Sequence, residues 1–259
     1  MNRSVYQQVP WRDLVAYHRG ETLAELLLPL PWLIAALTFA NANQRIATAA
    51  CVIYVFLLGL RVAHNAFHRA LGLPRMGDHL VMFAISLFML GSSHAIGYTH
   101  IHHHKHCCQQ GDVEGELARL SFWRALLKSP LYPVYIHIAA LKNGSGAEKR
   151  WIIAELGASI SVQLIIHLVL AWHAYALFTG FMLLANVIAP MIGIWSVHHG
   201  AEHHPAKARS CRKIWLNRLT AGMFYHAEHH LFPAVPTRNL AALAKRLDNA
   251  EVPAFLPVV

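Results

Sequence analysis

Leu80–His104 reads LVMFAISLFMLGSSHAIGYTHIHHH, an apolar run over 80–98 closed by His100, His103 and His104. A helix needs roughly 20 apolar residues to cross about 30 Å of hydrocarbon, so by length alone this run could be a membrane span. What precedes it argues otherwise. His64 and His68 stand before the run, at the end of another apolar segment, and the two groups of imidazoles would face opposite sides of the bilayer if 80–98 crossed it. Neutral imidazole is the commonest nitrogen ligand for iron and zinc, and one metal centre cannot draw on both faces. The run 80–98 is therefore read as re-entrant or interfacial, returning the chain to the side it left.

Four apolar segments remain, at about 22–42, 46–63, 151–170 and 174–197, each of spanning length. The expected fold class is an all-α integral membrane protein: four transmembrane helices, re-entrant or interfacial helices between the two hairpins, and a cytosolic cap carrying the histidines, with 1–259 forming one membrane domain. Under four spans the loops 43–45 and 171–173 share a side, which holds Arg45 alone of the 22 Lys and Arg. Basic bias in short loops sets orientation, so the histidines belong on the cytoplasmic side, as in a bacterial inner membrane. Residues 119–150 mix Trp123, Pro130, Tyr132 and Tyr135 with Arg124, Lys128 and Lys142, which suits a helix lying in the interface. Leu240, Leu243 and Leu247 mark a tail helix packed beneath the cap.

Composition narrows the function classes. The chain of 259 residues is 56% hydrophobic and 14% charged, too apolar for an ordinary soluble domain, and it contains 20 His. Its net charge of +9 comes without any nucleic-acid motif and is read as a surface facing anionic lipid, so membrane lipid and no nucleic acid is expected as partner. Cys51, Cys107, Cys108 and Cys211 form no Cys-x-x-Cys pair, and Cys107-Cys108 beside a histidine cluster fits a reducing compartment. Residues 1–20 lack the short apolar core and small-residue site of a cleaved signal peptide, and none is expected.

Three clusters carry the chemistry. His64 and His68, four apart, share one helix face, although alone they could equally anchor a helix end. His100, His103 and His104 follow a His-x-x-His-His pattern that aims imidazoles from adjoining turns at one point, while His102 and His106 point elsewhere. His226, His229 and His230 repeat that pattern. Two copies and a pair in one small chain indicate a metal centre. His18, His79, His94, His137, His167 and His173 are read as structural, since His167 lies within a span and the others lack partners.

These motifs resemble those of the membrane fatty acid desaturase and hydroxylase superfamily. His226-Ala227-Glu228-His229-His230-Leu231-Phe232-Pro233, with Val235-Pro236 and Asn239-Leu240, is similar to that family's third histidine box, and the spacing from His68 to His100 is also family-like. The likeness runs from about residue 22 to 247. It implies two iron ions (Fe2+) held by His64, His68, His100, His103, His104, His226, His229 and His230, with O2 as co-substrate. Glu202-His203 resembles the family's Glu-His motif at the end of the fourth span, which makes His203 a ninth ligand. Nine nitrogens exceed what one tetrahedral zinc uses. The resemblance also implies carboxylates holding ligands by their other ring N–H, with Asp112, Glu202 and Glu228 as candidates and Glu114 open between that role and a solvated loop charge. His199 stands where some relatives place an iron-contacting Asn, and its role stays open; His198 and His204 are read as interfacial or outer residues.

The activity so implied is O2-dependent oxidation of an unactivated C–H bond, most simply desaturation of a fatty acyl chain or hydrophobic metabolite. Hydroxylation or carotenoid ketolation is the alternative, although Asp112-Val113-Glu114 departs from the Asp-Pro-Asp of the ketolases. The sequence has neither a Gly-x-Gly-x-x-Gly fingerprint nor a Cys-x-x-Cys-His haem motif, so electrons would come from an external donor such as a ferredoxin or cytochrome. Lys207, Arg209, Arg212 and Lys213 are candidates for its docking surface, with lipid headgroup contact as the other reading. A metal-transporting or metal-storing membrane protein is the competing class; it requires ionisable groups along a path through the spans, where Glu155 and His167 stand, whereas the histidine clusters gather at one face.

Overall fold

The computed structural model describes residues 6, 8–107, 109–250, 252–253 and 255–259; Cys108 lies outside them. Apolar length produces the spans. The first, Arg19–Asn41, consists of α1 (Arg19–Leu27) and α2 (Leu30–Asn41), separated at Pro29 and Pro31 because proline removes an N–H and crowds the preceding turn. A tight turn with Asn43 at φ 54 leads into α3 (Arg45–Phe67), the second span. That helix runs four residues beyond the expected end at 63, so His64 lies in its last turns.

Next come α4 (Arg75–Met89) and α5 (Ser93–His106), which meet at 114° around Leu90, itself at φ 61. The chain turns back here, as the histidines on either side require. Two short helices, α6 (Phe122–Lys128) and α7 (Tyr132–Asn143), follow with Trp123 71% and Leu127 80% exposed, which presents apolar surface outward as an interfacial position demands.

The third span is α8 (Gly146–Leu164) with a π-helical extension, Ile165–Val169. It begins five residues before the expected 151 because Ser145 and Glu148 form a capping box that draws the charged segment into the helix. After the turn at Ala171 (φ 47), α9 (His173–Pro190) continues through a π-helical stretch, Met191–Trp195, and ends at Ser196–His198. Pro190 cannot donate to the helix ladder, and the widened turn follows it directly. At 23 to 26 residues each span measures about 35–39 Å, enough to cross. The second is the central one, 44% buried against 17–22% for the others.

Beyond the spans, α10 (Ile214–Leu219), α11 (His226–Leu231) and α12 (Leu240–Asn249) build the cap. Leu240, Leu243 and Leu247 of α12 are buried against Tyr6, Val9, Leu14, Tyr225 and Leu231, the packing expected of the tail. Among the described residues there is no strand, only an isolated bridge between Ser210 and Pro257.

Candidate metal centre

Each cluster reaches the centre from a helix end. His64 belongs to the last turn of α3 and His68 is its C-cap, and α5 presents His100, His103 and His104 from its final turns. The six-residue α11 carries His226, His229 and His230. These eight imidazoles, placed on three helices far apart in sequence, come together with a ninth.

Ligand atoms of His64, His68, His100 and His229 lie within 4.8 Å of one another. His64 Nε2 is 2.9 Å from His229 Nε2, and His104 Nε2 is 2.8 Å from the same atom and 3.1 Å from His100 Nε2. A second gathering joins His198, His226 and His230 within 4.8 Å. There the Nε2 of His198 is 2.8 Å from that of His226 and 3.2 Å from that of His103. The two groups adjoin, with the His104 ring stacked on His230 at 4.3 Å.

His203 departs from expectation. It and Glu202 are exposed, outside both groups, and His198 takes the ninth place. The reason is local: α9 ends at His198, and the following segment, with Gly200 at φ 68 and Lys207 at φ 50, is a loop that carries His203 away. A signal was available, since His198 directly follows the apolar run 174–197, much as His64 follows 46–63. His199 also points elsewhere, donating from Nδ1 to the Ala118 carbonyl at 2.8 Å and stacking on Trp195.

The outer hydrogen bonds fix ring orientation. His103 Nδ1 is 2.8 Å from Asp112 Oδ2, His100 Nδ1 is 2.8 Å from Glu114 Oε1, and His198 Nδ1 is 2.8 Å from the Lys207 carbonyl. An acceptor at Nδ1 keeps the hydrogen there and leaves the Nε2 lone pair facing the group. Asp112 is steadied in turn by the Gly115 N–H at 3.0 Å, and a Cβ at Gly115 would collide with that carboxylate. Glu114 is buried on His100 instead of solvated; burial, with the neighbouring Asp112, pushes its carboxyl up to about 7 against the pull of His103. Glu228 takes a different part from the one expected: it accepts from Ser210 Oγ at 2.6 Å and pairs with Arg212, bracing the segment beside α11 rather than an imidazole.

Burial and then the neighbouring imidazoles hold His226, His229 and His230 well below the usual imidazole range, so they are neutral at pH 7. His68 is lowered likewise, by burial and by His64, and its Nε2 is buried without a hydrogen-bond partner. This donor set fits a metal pair. Each close Nε2–Nε2 approach can hold one hydrogen at most, yet His229 and His104 are each approached by two rings, and a cation satisfies all the lone pairs at once. Cys107 Sγ lies within 4.8 Å of ligand atoms of His103 and His198 and donates to the Lys207 carbonyl at 3.7 Å.

The basic residues near the end of α9 are mostly engaged inside the molecule. Lys207 Nζ donates to the Cys107 carbonyl, Arg209 to the His199 and Pro257 carbonyls, and Arg212 to Asp248 and Glu228. The expectation that His79, His94 and His137 lack partners is also overturned: His79 Nδ1 is 2.8 Å from His94 Nε2, His94 Nδ1 is 2.6 Å from Glu155, and His137 Nε2 accepts from the Ser92 N–H at 2.8 Å.

A family model described as fatty acid desaturase matches residues 43–258, taking in all three clusters and His198. No curated protein matches the chain.

Proposed function

The chain belongs to the fatty acid desaturase family, and on that premise we propose that it is an O2-dependent di-iron membrane enzyme that desaturates a fatty acyl chain or another hydrophobic metabolite. The observation carrying the reading is the convergence of nine imidazoles into two adjoining groups beside the spans. His64, His68, His100, His104 and His229 would hold one iron, and His103, His198, His226 and His230 the other. Two irons supply, when bound, the activation of O2 by two external electrons that removal of hydrogen from an unactivated C–H bond requires.

The protein's own contribution is preorganisation. Asp112, Glu114 and the Lys207 carbonyl hold three rings from behind, and burial of nearly every imidazole excludes water from the centre. Because the clusters sit where α3, α5 and α9 end, a chain lying in the bilayer can present a carbon to them without leaving hydrocarbon. The basic bias of the loops supports a cytoplasmic position for this face, where a ferredoxin or cytochrome would deliver electrons. Lys213, exposed beside α10, is the residue of the basic group left for such a contact.

Elemental analysis and Mössbauer spectroscopy of detergent-purified protein grown on iron-57 test the reading. About two irons per chain in nitrogen-rich, mutually coupled sites are expected for this donor set. One zinc per chain, or well-folded protein that takes up no metal, would overturn it.

A further inference from the structure

The N-terminus of α5 lies at the bend between α4 and α5, where Ser92, Ser93, His94 and Ala95 are buried and the N–H groups that open every helix need partners from the protein itself. Each of these N–H groups has a partner, and the partners come from three other helices. The Ser92 N–H donates to His137 Nε2 of α7 at 2.8 Å, the Ser93 N–H to Ser86 Oγ of α4 at 2.8 Å, and the His94 N–H to Glu155 Oε2 of α8 at 3.1 Å. The fourth, of Ala95, returns to Ser92 Oγ at 3.0 Å.

Glu155 is the centre of this arrangement. Fully buried in the third span, it accepts three hydrogen bonds from α5: the His94 N–H, Ser92 Oγ at 2.5 Å and His94 Nδ1 at 2.6 Å. Since the carboxylate can only accept, His94 carries its hydrogen on Nδ1, and its Nε2 accepts from His79 Nδ1 at 2.8 Å. Trp151, one turn before Glu155, stacks on both imidazoles, at 1° to His94 and 15° to His79. A negative charge at a helix N-terminus also meets the positive end of the macrodipole. An ionisable group inside a membrane is costly to keep, and three donors from one helix fix that helix in both rotation and depth. Two turns further along α5 come His100, His103 and His104.

We propose that Glu155 is a positioning residue for the metal centre: by capping α5 from α8 it sets the rotation and depth at which α5 delivers its three ligands. The inference rests on the metal-binding reading above. Cobalt(II) titration of metal-free protein in nanodiscs tests it, following both affinity and the ligand-field absorption bands. Glu155→Gln presents an amide N–H2 where donors already converge, and should weaken cobalt binding at least about tenfold and shift the bands. Ile152→Ala, which shortens a fully buried side chain one turn away on the same helix and removes none of the cap's hydrogen bonds, should lower stability while leaving the bands in place. Ser92→Ala should move the bands in the same direction as Glu155→Gln by less, and it decides the matter if Glu155→Gln does not insert. Wild-type bands and affinity in the capping variants, or an equal shift in Ile152→Ala, would overturn the proposal. Failure of the wild type to bind cobalt would instead sink the metal reading itself.

Discussion

His198 and His203 differ by five positions and by everything that matters to a ligand. His198 ends a helix with its Nε2 among three other histidines, whereas His203 is solvent-exposed on the loop beyond. His198→Ala is expected to lower iron content from about two toward one per chain, for the donor set assigned above, and His203→Ala to leave it unchanged; plasma emission analysis of both variants decides. Asp112→Asn keeps the size of the side chain but no longer fixes the His103 tautomer, and should cost about 10- to 100-fold in metal affinity. The buried imidazoles also set a pH dependence for metal-free protein. His68, His226, His229 and His230 are lowered in the folded state, so below the ordinary value near 6.5 the unfolded chain takes up protons that the folded chain refuses. Glu114, raised to about 7, works the other way, so stability should change little from pH 8 to 6.5 and fall below that, where the four imidazoles, at up to about 1.4 kcal/mol per pH unit each, outweigh the one carboxyl; Tm of chelator-treated protein between about pH 6.5 and 5 checks it, and a Tm that rose on acidification there would refute it. Eight of the nine gathered residues were legible because their spacing lies within single helices. His198 was not, since its place depends on the residue at which α9 stops being helical.

Helix α5 must lie close against α3, and Gly97 is where this shows. A Cβ there would stand 2.7 Å from the Phe67 ring, which itself lies against His64 and His100. Gly97→Ala should therefore spread the two helices that carry the first and second clusters and reduce turnover and iron content together. Gly157→Ala in α8 meets nothing within 4 Å and should be neutral or stabilising by about 0.5–1 kcal/mol. Equal loss of iron in both variants would show that close approach at Gly97 is unimportant. At this scale the sequence was readable to the extent that apolar length is the signal: four helices of spanning length and one helix pair bent by 114° stand where the runs are. The ends were misjudged where another force decided them, at 146 by the Ser145–Glu148 capping box and at 67 by a last turn whose histidines face other histidines instead of lipid. Of the acceptors that cap α5, Ser92 Oγ alone is local; the other three left no trace beside it in the sequence, because they come from α4, α7 and α8.

What brings the third cluster to the first two is a buried polar network between the bundle and the cap. Glu25 of α1 accepts from Arg61 Nε at 2.5 Å and Arg61 Nη2 at 2.7 Å and from Asn65 Nδ2 at 3.0 Å, so the first two spans are tied beside His64. Arg61 then donates to the Ala221 carbonyl at 2.7 Å, and Asn65 Oδ1 accepts from the Thr237 N–H at 3.0 Å and Oγ1 at 2.9 Å. Ala221 and Thr237 bracket α11, so its three histidines are held from both sides. With Arg61 only 12% exposed and Glu25 3%, removing one partner leaves a charge with little water to receive it, which costs about 3–5 kcal/mol for buried pairs. Glu25→Gln is accordingly expected to be destabilised by about 3 kcal/mol, with faster hydrogen exchange over 226–239 and unchanged exchange in α9. The double variant Glu25→Leu/Arg61→Met removes both charges and should recover most of that stability, since apolar replacement of a buried pair is close to neutral. It does not restore the contact with Ala221, so exchange over 226–239 should stay fast and iron content low. Recovery of stability and of slow exchange together in the double variant would mean that the network serves only to balance its own charges, and that α11 is docked by the apolar packing of Leu231, Leu240 and Leu243 alone.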